Sequence, residues 1–280
     1  MPDLPLYFST AACWLLLSAR AWRATRPLAA GAVAADSPRG DLAMETVLVP
    51  LALVLHALLL YRAISTPEGL NLGVSNAVSL LVWLTVLIYW LAGLAFRGLA
   101  GILGMMAPIA LLAVVLQGAI RSAYVVQYNG NPLFAMHFGI AMLAYSLFIV
   151  ATVHALVMLA EERWLHRGLL PPLLRDLPPL LEMEALLFRI LLAAFVLLTF
   201  TLLSGVFFSE QLFGKPFSAQ GHKMVFGFLS WLIFAGLLAG HHLRGWRGRT
   251  AVRWTLAGFT ALLFAYVGSK VVLELILQRI

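Results

Sequence analysis

The 280-residue chain is 62% hydrophobic and only 11% charged, whereas soluble domains carry about 25% charged residues, so a soluble globular protein is excluded. The net charge of +7 would suit nucleic acid in a soluble protein, but here the positive-inside effect accounts for it with no nucleic-acid partner. The single Cys13 excludes an intrachain disulfide, a CxxC thiol relay and a CxxCH haem-attachment site.

Apolar runs of about 20 residues have the length of helical spans, whereas barrel strands show ~10-residue alternation. The sequence therefore predicts an all-α polytopic membrane protein, a bundle of about eight transmembrane helices. It forms a single integral membrane domain over residues 1–280. Span 1 covers Leu4–Ala19 and is expected to be retained, since no basic n-region or AxA-like site marks a cleaved signal peptide. Arg20, Arg23, Arg26 and Arg39 follow in an inner loop. Span 2, Met44–Tyr61, carries His56 at mid-depth. After an outer loop, span 3 (Ala77–Phe96) returns to Arg97, and span 4 (Ile102–Ile120) contains Pro108, which can kink it.

The outer segment up to Asn131-Pro132 holds turn signals. Span 5, Leu133–Leu159, carries His137 near its outer end and His154 near its inner end. A proline-broken inner loop with His166 leads to span 6, Ala185–Leu203. An aromatic outer loop follows, with Phe207, Phe208, Phe213 and Phe217 beside Glu210, Lys215 and Lys223. Span 7 (Met224–Gly240) ends in His241-His242 and a basic inner loop, and span 8 (Val252–Ile276) closes the chain. Thirteen of the 19 Lys and Arg residues fall on the inner side of this topology, which puts both termini outside, in the periplasm.

Histidine is the chemical theme, because polar groups inside a bilayer are costly and mark functional sites. His137 and His222 share an outer depth and can face each other as two neutral imidazoles on a haem iron. The alternative is that they cap helices or bind water. His154 lies seventeen residues below His137, about 25 Å along one helix, at the depth of His241 and His242. A histidine at a helix C-terminus also interacts favourably with the dipole, so a structural role stands beside a ligand role there. His56 suits a carbonyl bond as well as a ligand. The aromatic loop suits a flat porphyrin and an interfacial aromatic belt alike, and Trp231 suits packing or a cofactor wall.

Two stretches resemble a known family. In NPLFAMHFGIAMLAYSLF, His137 is followed eight residues later by Tyr145. Further on come Leu203-Ser204-Gly205, the aromatic loop, Lys223, Trp231-Leu232-Ile233, His241/His242 and the GWRGR run Gly245–Arg249. Their order resembles the cytochrome c assembly family of haem-handling membrane proteins, and most of all its shorter YpjD-like branch. The likeness covers residues 133–268. The tryptophan-rich WWD segment of the family is missing, with Phe213-Gly214 and Phe217 in its place. The family's DPKE helix start reads Gly221-His222-Lys223-Met224, and Lys270 stands where its later outer histidine is expected.

The resemblance implies a multi-pass protein of the bacterial inner membrane that binds non-covalent haem b in support of cytochrome c biogenesis. It implies His137 as one ligand and His241 or His242 as the inner-leaflet histidine; His222 is added by depth. His56, Tyr145, Phe213, Phe217, Lys223 and Trp231 complete the expected cofactor surroundings. The expected partners are haem, the lipid bilayer and other cytochrome c maturation components or an apocytochrome. Such a carrier supplies ligands and orientation, and the bond-forming chemistry belongs to the cofactor and its acceptor. A small transporter and a scaffold subunit without cofactor are the alternatives.

Overall fold

The computed structural model describes residues 3–24, 38–95, 99–120, 124–126, 131–168, 177–208 and 221–265. Side chains are described for all of these except 24, 38–46, 100–101 and 221–223. Eight helices lie among the described residues: α1 (Leu4–Ala24), α2 (Pro38–Ile64), α3 (Val74–Ala95), α4 (Ala100–Ala119), α5 (Pro132–His166), α6 (Leu180–Phe207), α7 (Gly221–Arg244) and α8 (Gly248–Leu263). Each predicted span falls on one of them, and the fold is the expected all-α polytopic membrane bundle. Two-residue and three-residue extended segments occur only at Ser65–Thr66, Gly69–Asn71 and Val125–Val126 among the described residues.

Six helices, α2 to α7, are long and apolar enough to cross a membrane. In α1, Ser9, Thr10, Ser18, Arg20 and Arg23 lower the hydropathy. The described part of α8 has 16 residues, and the rest of its predicted span lies outside the described residues. The surface of α6 shows why this is a membrane fold. Leu187, Leu191, Ala194 and Leu198 form a buried stripe at helical spacing, while Leu192, Val196, Phe200 and Leu203 are exposed. A helix of a soluble protein would put polar residues on that second face, and an all-round apolar helix belongs in lipid.

The helices group into two compact units, α1–α4 and α5–α8, with the last turn of α5 assigned to the first unit. In the first unit α1 packs on α2 and α4, and α3 packs on the same two helices, so the four close into a ring. The α4 helix runs on through Pro108, as α2 does through Pro50. In the second unit α7 packs between α6 and α8. The α5 helix reaches all three through side chains: Phe148 stacks on Phe234 of α7 with centroids 4.0 Å apart. Tyr145 Oη donates to the Leu262 carbonyl of α8 (3.3 Å), and His137 meets Ser204 of α6. Helix α8 lies close to α7 because Gly258 has no side chain: a Cβ there would stand 2.7 Å from the Phe234 ring. Ser230 adds a bond to the Gly258 carbonyl across the same contact (2.9 Å).

Candidate functional site: four histidines and their hydrogen-bond partners

In the α5–α8 unit, His137 Nδ1 lies 2.7 Å from Ser204 Oγ. That hydroxyl has one proton, and it is directed at the carbonyls of its own helix, Phe200 (2.8 Å) and Thr201 (3.1 Å). With the serine proton on its own helix, Ser204 Oγ accepts from His137 Nδ1–H and Nε2 carries the ring's lone pair. Gly205 lies beside the same ring, so close that a Cβ would be 3.7 Å from His137 Cε1. The Leu203-Ser204-Gly205 motif is thus the wall on which His137 is oriented.

His241 is held in the same tautomer by different means. Its ring stacks on Phe188 at 3.5 Å with 16° between planes. Its Nδ1–H donates to the Trp246 carbonyl at 2.9 Å, since a carbonyl only accepts. This carbonyl is presented by a tight turn: Gly245 takes φ +67°, and its N–H closes α7 on the His241 carbonyl (3.1 Å), the left-handed cap that favours glycine. The turn is tied to α6 by Glu184, which accepts from the Gly248 N–H (3.3 Å) and pairs with Arg247 (3.5 Å). Arg249 ties the start of α8 to α5 through Glu162 (3.1 Å). The neighbouring His242 is exposed. Packing thus separates two histidines that the sequence could not rank.

The remaining two histidines use the other nitrogen as donor. His154 Nε2–H bonds the Met183 carbonyl at 2.9 Å, and His56 Nε2 meets Ser79 Oγ at 2.8 Å. Both leave Nδ1 as the lone-pair nitrogen. The distinction matters for iron. Nε2 stands at the far edge of the ring, clear of the backbone, whereas Nδ1 adjoins Cγ and the residue's own main chain, where a porphyrin plane would collide. A ligating histidine also characteristically donates its other N–H to an oxygen, which fixes the ring. His137 and His241 have that chemistry; His56 and His154 have the reverse.

The two do not lie together. His137 is bonded to Ser204 and His241 is stacked on Phe188, sixteen residues apart on α6, or about 24 Å along its axis. No single iron takes both. His154 and His241 do share one end, through Met183 and Phe188, as their reckoned depths predict. His56 belongs to the α1–α4 unit. Tyr145 is buried and spans to α8. Trp231 donates to Thr199 Oγ1 (2.9 Å) and stacks on Phe195 (5.3 Å), a packing contact between α7 and α6.

Phe213 and Phe217 lie outside the described residues. His222 and Lys223 begin α7, with their side chains outside the described set. The α6–α7 register still fixes their level. Trp231 meets Thr199, and a Cβ on Gly227 would lie 3.2 Å from Leu202, so residue 222 falls near the level of Phe207, one turn beyond Ser204. Ser204, Glu184, Phe188 and Trp246 orient the histidines and are not evident as such from sequence. Ser204 and Trp246 were signalled, by their places in the Leu203-Ser204-Gly205 and GWRGR runs. Among the described residues no group of three or more His, Cys, Asp or Glu residues is arranged to hold a metal ion.

The chain is 30% identical over 238 residues to the inner membrane protein YpjD of Escherichia coli K12, covering 83% of this chain and 88% of that protein. It is 34% identical over 87 residues to the cytochrome c biogenesis protein CcsA of Prochlorococcus marinus MIT 9515, 31% of this chain and 28% of that one. No solved structure matches it. The profile of the cytochrome C assembly protein family matches residues 44–277, which takes in His56, His137, Ser204 and His241, and the chain belongs to that family.

Proposed function

We propose that the protein binds haem b non-covalently, with His137 Nε2 as one residue that would hold its iron, and that it does so at the bacterial inner membrane in support of cytochrome c biogenesis. The observation that carries this reading is the His137–Ser204 bond, which places a hydroxyl behind Nδ1, as an oxygen stands behind a ligating imidazole. Family membership supports the biogenesis role.

His222 is our assignment for the opposite ligand, from its level on α7 relative to Ser204. When bound, the haem supplies the redox-active iron, and the chain's part is to hold and orient it. Ser204 and Gly205 fix the angle of the His137 ring. The aromatic residues Phe213 and Phe217 and the cation Lys223 are assigned to the porphyrin faces and propionates. His241 marks a separate imidazole at the other end of α6, too distant to serve the same iron. We give His56 and His242 no ligand role, and Tyr145 and Trp231 the task of holding α8 and α6 in register. The maturation components or apocytochrome that take the haem would meet it at the His137 end.

Haem titration of purified protein in mild detergent tests the reading. A saturable Soret band that is strongly weakened by His137→Ala and His222→Ala supports it. A folded wild-type protein that stays colourless contradicts it and leaves a scaffold or a transporter, which substrate flux in liposomes would separate.

A further inference from the structure

The α1–α4 unit contains a second polar assembly that the haem reading does not use. Each of its four helices contributes to it: Trp14 from α1, His56 from α2, Asn76 and Ser79 from α3, and Gln117 from α4. All five side chains are buried, with Trp14 at 1%, His56 and Ser79 at 0% and Asn76 and Gln117 at 5% exposure. An apolar bundle does not need such a cluster for cohesion, and buried polar groups are tolerated only when satisfied.

The direction of every bond in the cluster is set from one end. Asn76 Nδ2 donates to the backbone carbonyls of Ala63 (3.3 Å) and Asn71 (3.1 Å), which can only accept. Asn76 Oδ1 is therefore the atom facing Gln117, and it receives Gln117 Nε2–H at 3.1 Å. This turns Gln117 Oε1 toward Ser79, whose hydroxyl donates to it at 2.7 Å. Ser79 Oγ has then spent its proton, so it accepts from His56 Nε2–H at 2.8 Å. The relay ends on His56 Nδ1, which must be a lone-pair acceptor.

Among the described residues no donor reaches that Nδ1 and no acceptor reaches Trp14 Nε1, although both atoms are buried. The two rings are nevertheless neighbours, edge to face, with centroids 6.1 Å apart and planes at 76°. An indole N–H is a donor only, and His56 Nδ1 is locked as an acceptor. They are complementary, yet they do not bond each other. A buried polar group left unmet is costly, and a molecule that accepts from one and donates to the other removes both penalties.

We propose that Trp14 Nε1–H and His56 Nδ1 form a two-point binding site for one small hydroxylic molecule, a buried water, enclosed by α1 and α2 and oriented by the Ser79–Gln117–Asn76 relay. The molecule's oxygen accepts the indole proton and one of its hydrogens goes to His56. Amide groups do not pass protons along such a chain, so the relay is an orienting device and not a proton wire. It presents one fixed lone pair inside the α1–α4 unit.

The test is nitrogen-15 NMR of histidine-labelled protein in nanodiscs, with polarisation transfer from water. The site predicts that His56 is the Nε2–H tautomer, that Nδ1 has the shift of a hydrogen-bonded acceptor, and that it receives magnetisation from water protons. Trp14→Phe keeps the ring packing and deletes the donor. In that variant the Nδ1 resonance should move toward the value of a bare nitrogen, with the transfer weakened and Nε2 unchanged. A bare Nδ1 in the wild type overturns the site without recourse to any variant, as does an Nδ1 proton. An Nδ1 signal that ignores Trp14→Phe overturns the two-point geometry.

Discussion

His137 Nδ1 and Ser204 Oγ are 2.7 Å apart, and with the serine proton on its own helix Ser204 accepts from His137 and leaves Nε2 as the lone-pair nitrogen. Helix α6 therefore dictates which nitrogen of a histidine on α5 can meet a metal. Removing the hydroxyl should uncouple the two. Ser204→Ala is expected to weaken haem affinity by about 10–100-fold, the usual effect of losing the oxygen behind a ligating imidazole. Comparing haem titrations of the variant and wild type checks it, and equal affinities would show that Ser204 does not orient the ligand.

His241 and His242 are adjacent in sequence but should behave as opposites. His241 is stacked on Phe188 and bonded to Trp246, whereas His242 is exposed. His242→Ala should change stability by no more than about 0.5 kcal/mol, as surface substitutions do. His241→Ala removes the stack and the bond that tie the Gly245 turn to α7, and should cost about 1–3 kcal/mol. Thermal unfolding in one detergent compares the two. Equal effects would contradict the packing difference.

The close approach of α8 to α7 gives a third outcome. A methyl group at Gly258 would meet the Phe234 ring, itself stacked on Phe148, so neither partner has room to move. Gly258→Ala should destabilise by about 1–3 kcal/mol, the range for overpacking a filled core, as read by the unfolding midpoint. The exposed Leu192→Ala on α6 is the matched control.

The relay in the α1–α4 unit should be sensitive to its middle. Gln117→Leu strands the Ser79 hydroxyl and Asn76 Oδ1 together, each an unmet buried group of about 1–3 kcal/mol. The cost should exceed that of Thr85→Val, whose hydroxyl bonds only to its own helix. The same variant frees Ser79 to reverse its proton, so NMR should show His56 as a mixture of tautomers.

Much of the bundle was legible because one physical signal dominates it. Apolar length located the six helices long and apolar enough to cross a membrane, and arithmetic on helical rise put His154 and His241 at one depth, where Met183 and Phe188 indeed hold them. Sequence could not give the partner of each imidazole, since the Ser204 hydroxyl is 67 residues from His137 and the Gln117 amide 38 from Ser79. Nor could it choose between His241 and His242, because the choice is made by where the Gly245 turn points the Trp246 carbonyl. The His56 position illustrates the limit most clearly: a mid-membrane histidine looks like a ligand, and only the hydrogen-bond polarity set by Asn76 reveals which nitrogen it offers.

The central claim is ligation of haem iron by His137 Nε2, and electron paramagnetic resonance of the ferric haem-loaded protein tests it most directly. Wild type is predicted to give the low-spin signal of an iron with two imidazoles. His137→Ala, folded and loaded with haem at high concentration, is predicted to convert to high spin, while His56→Gln keeps the wild-type signal. A low-spin signal that survives in His137→Ala would contradict the account.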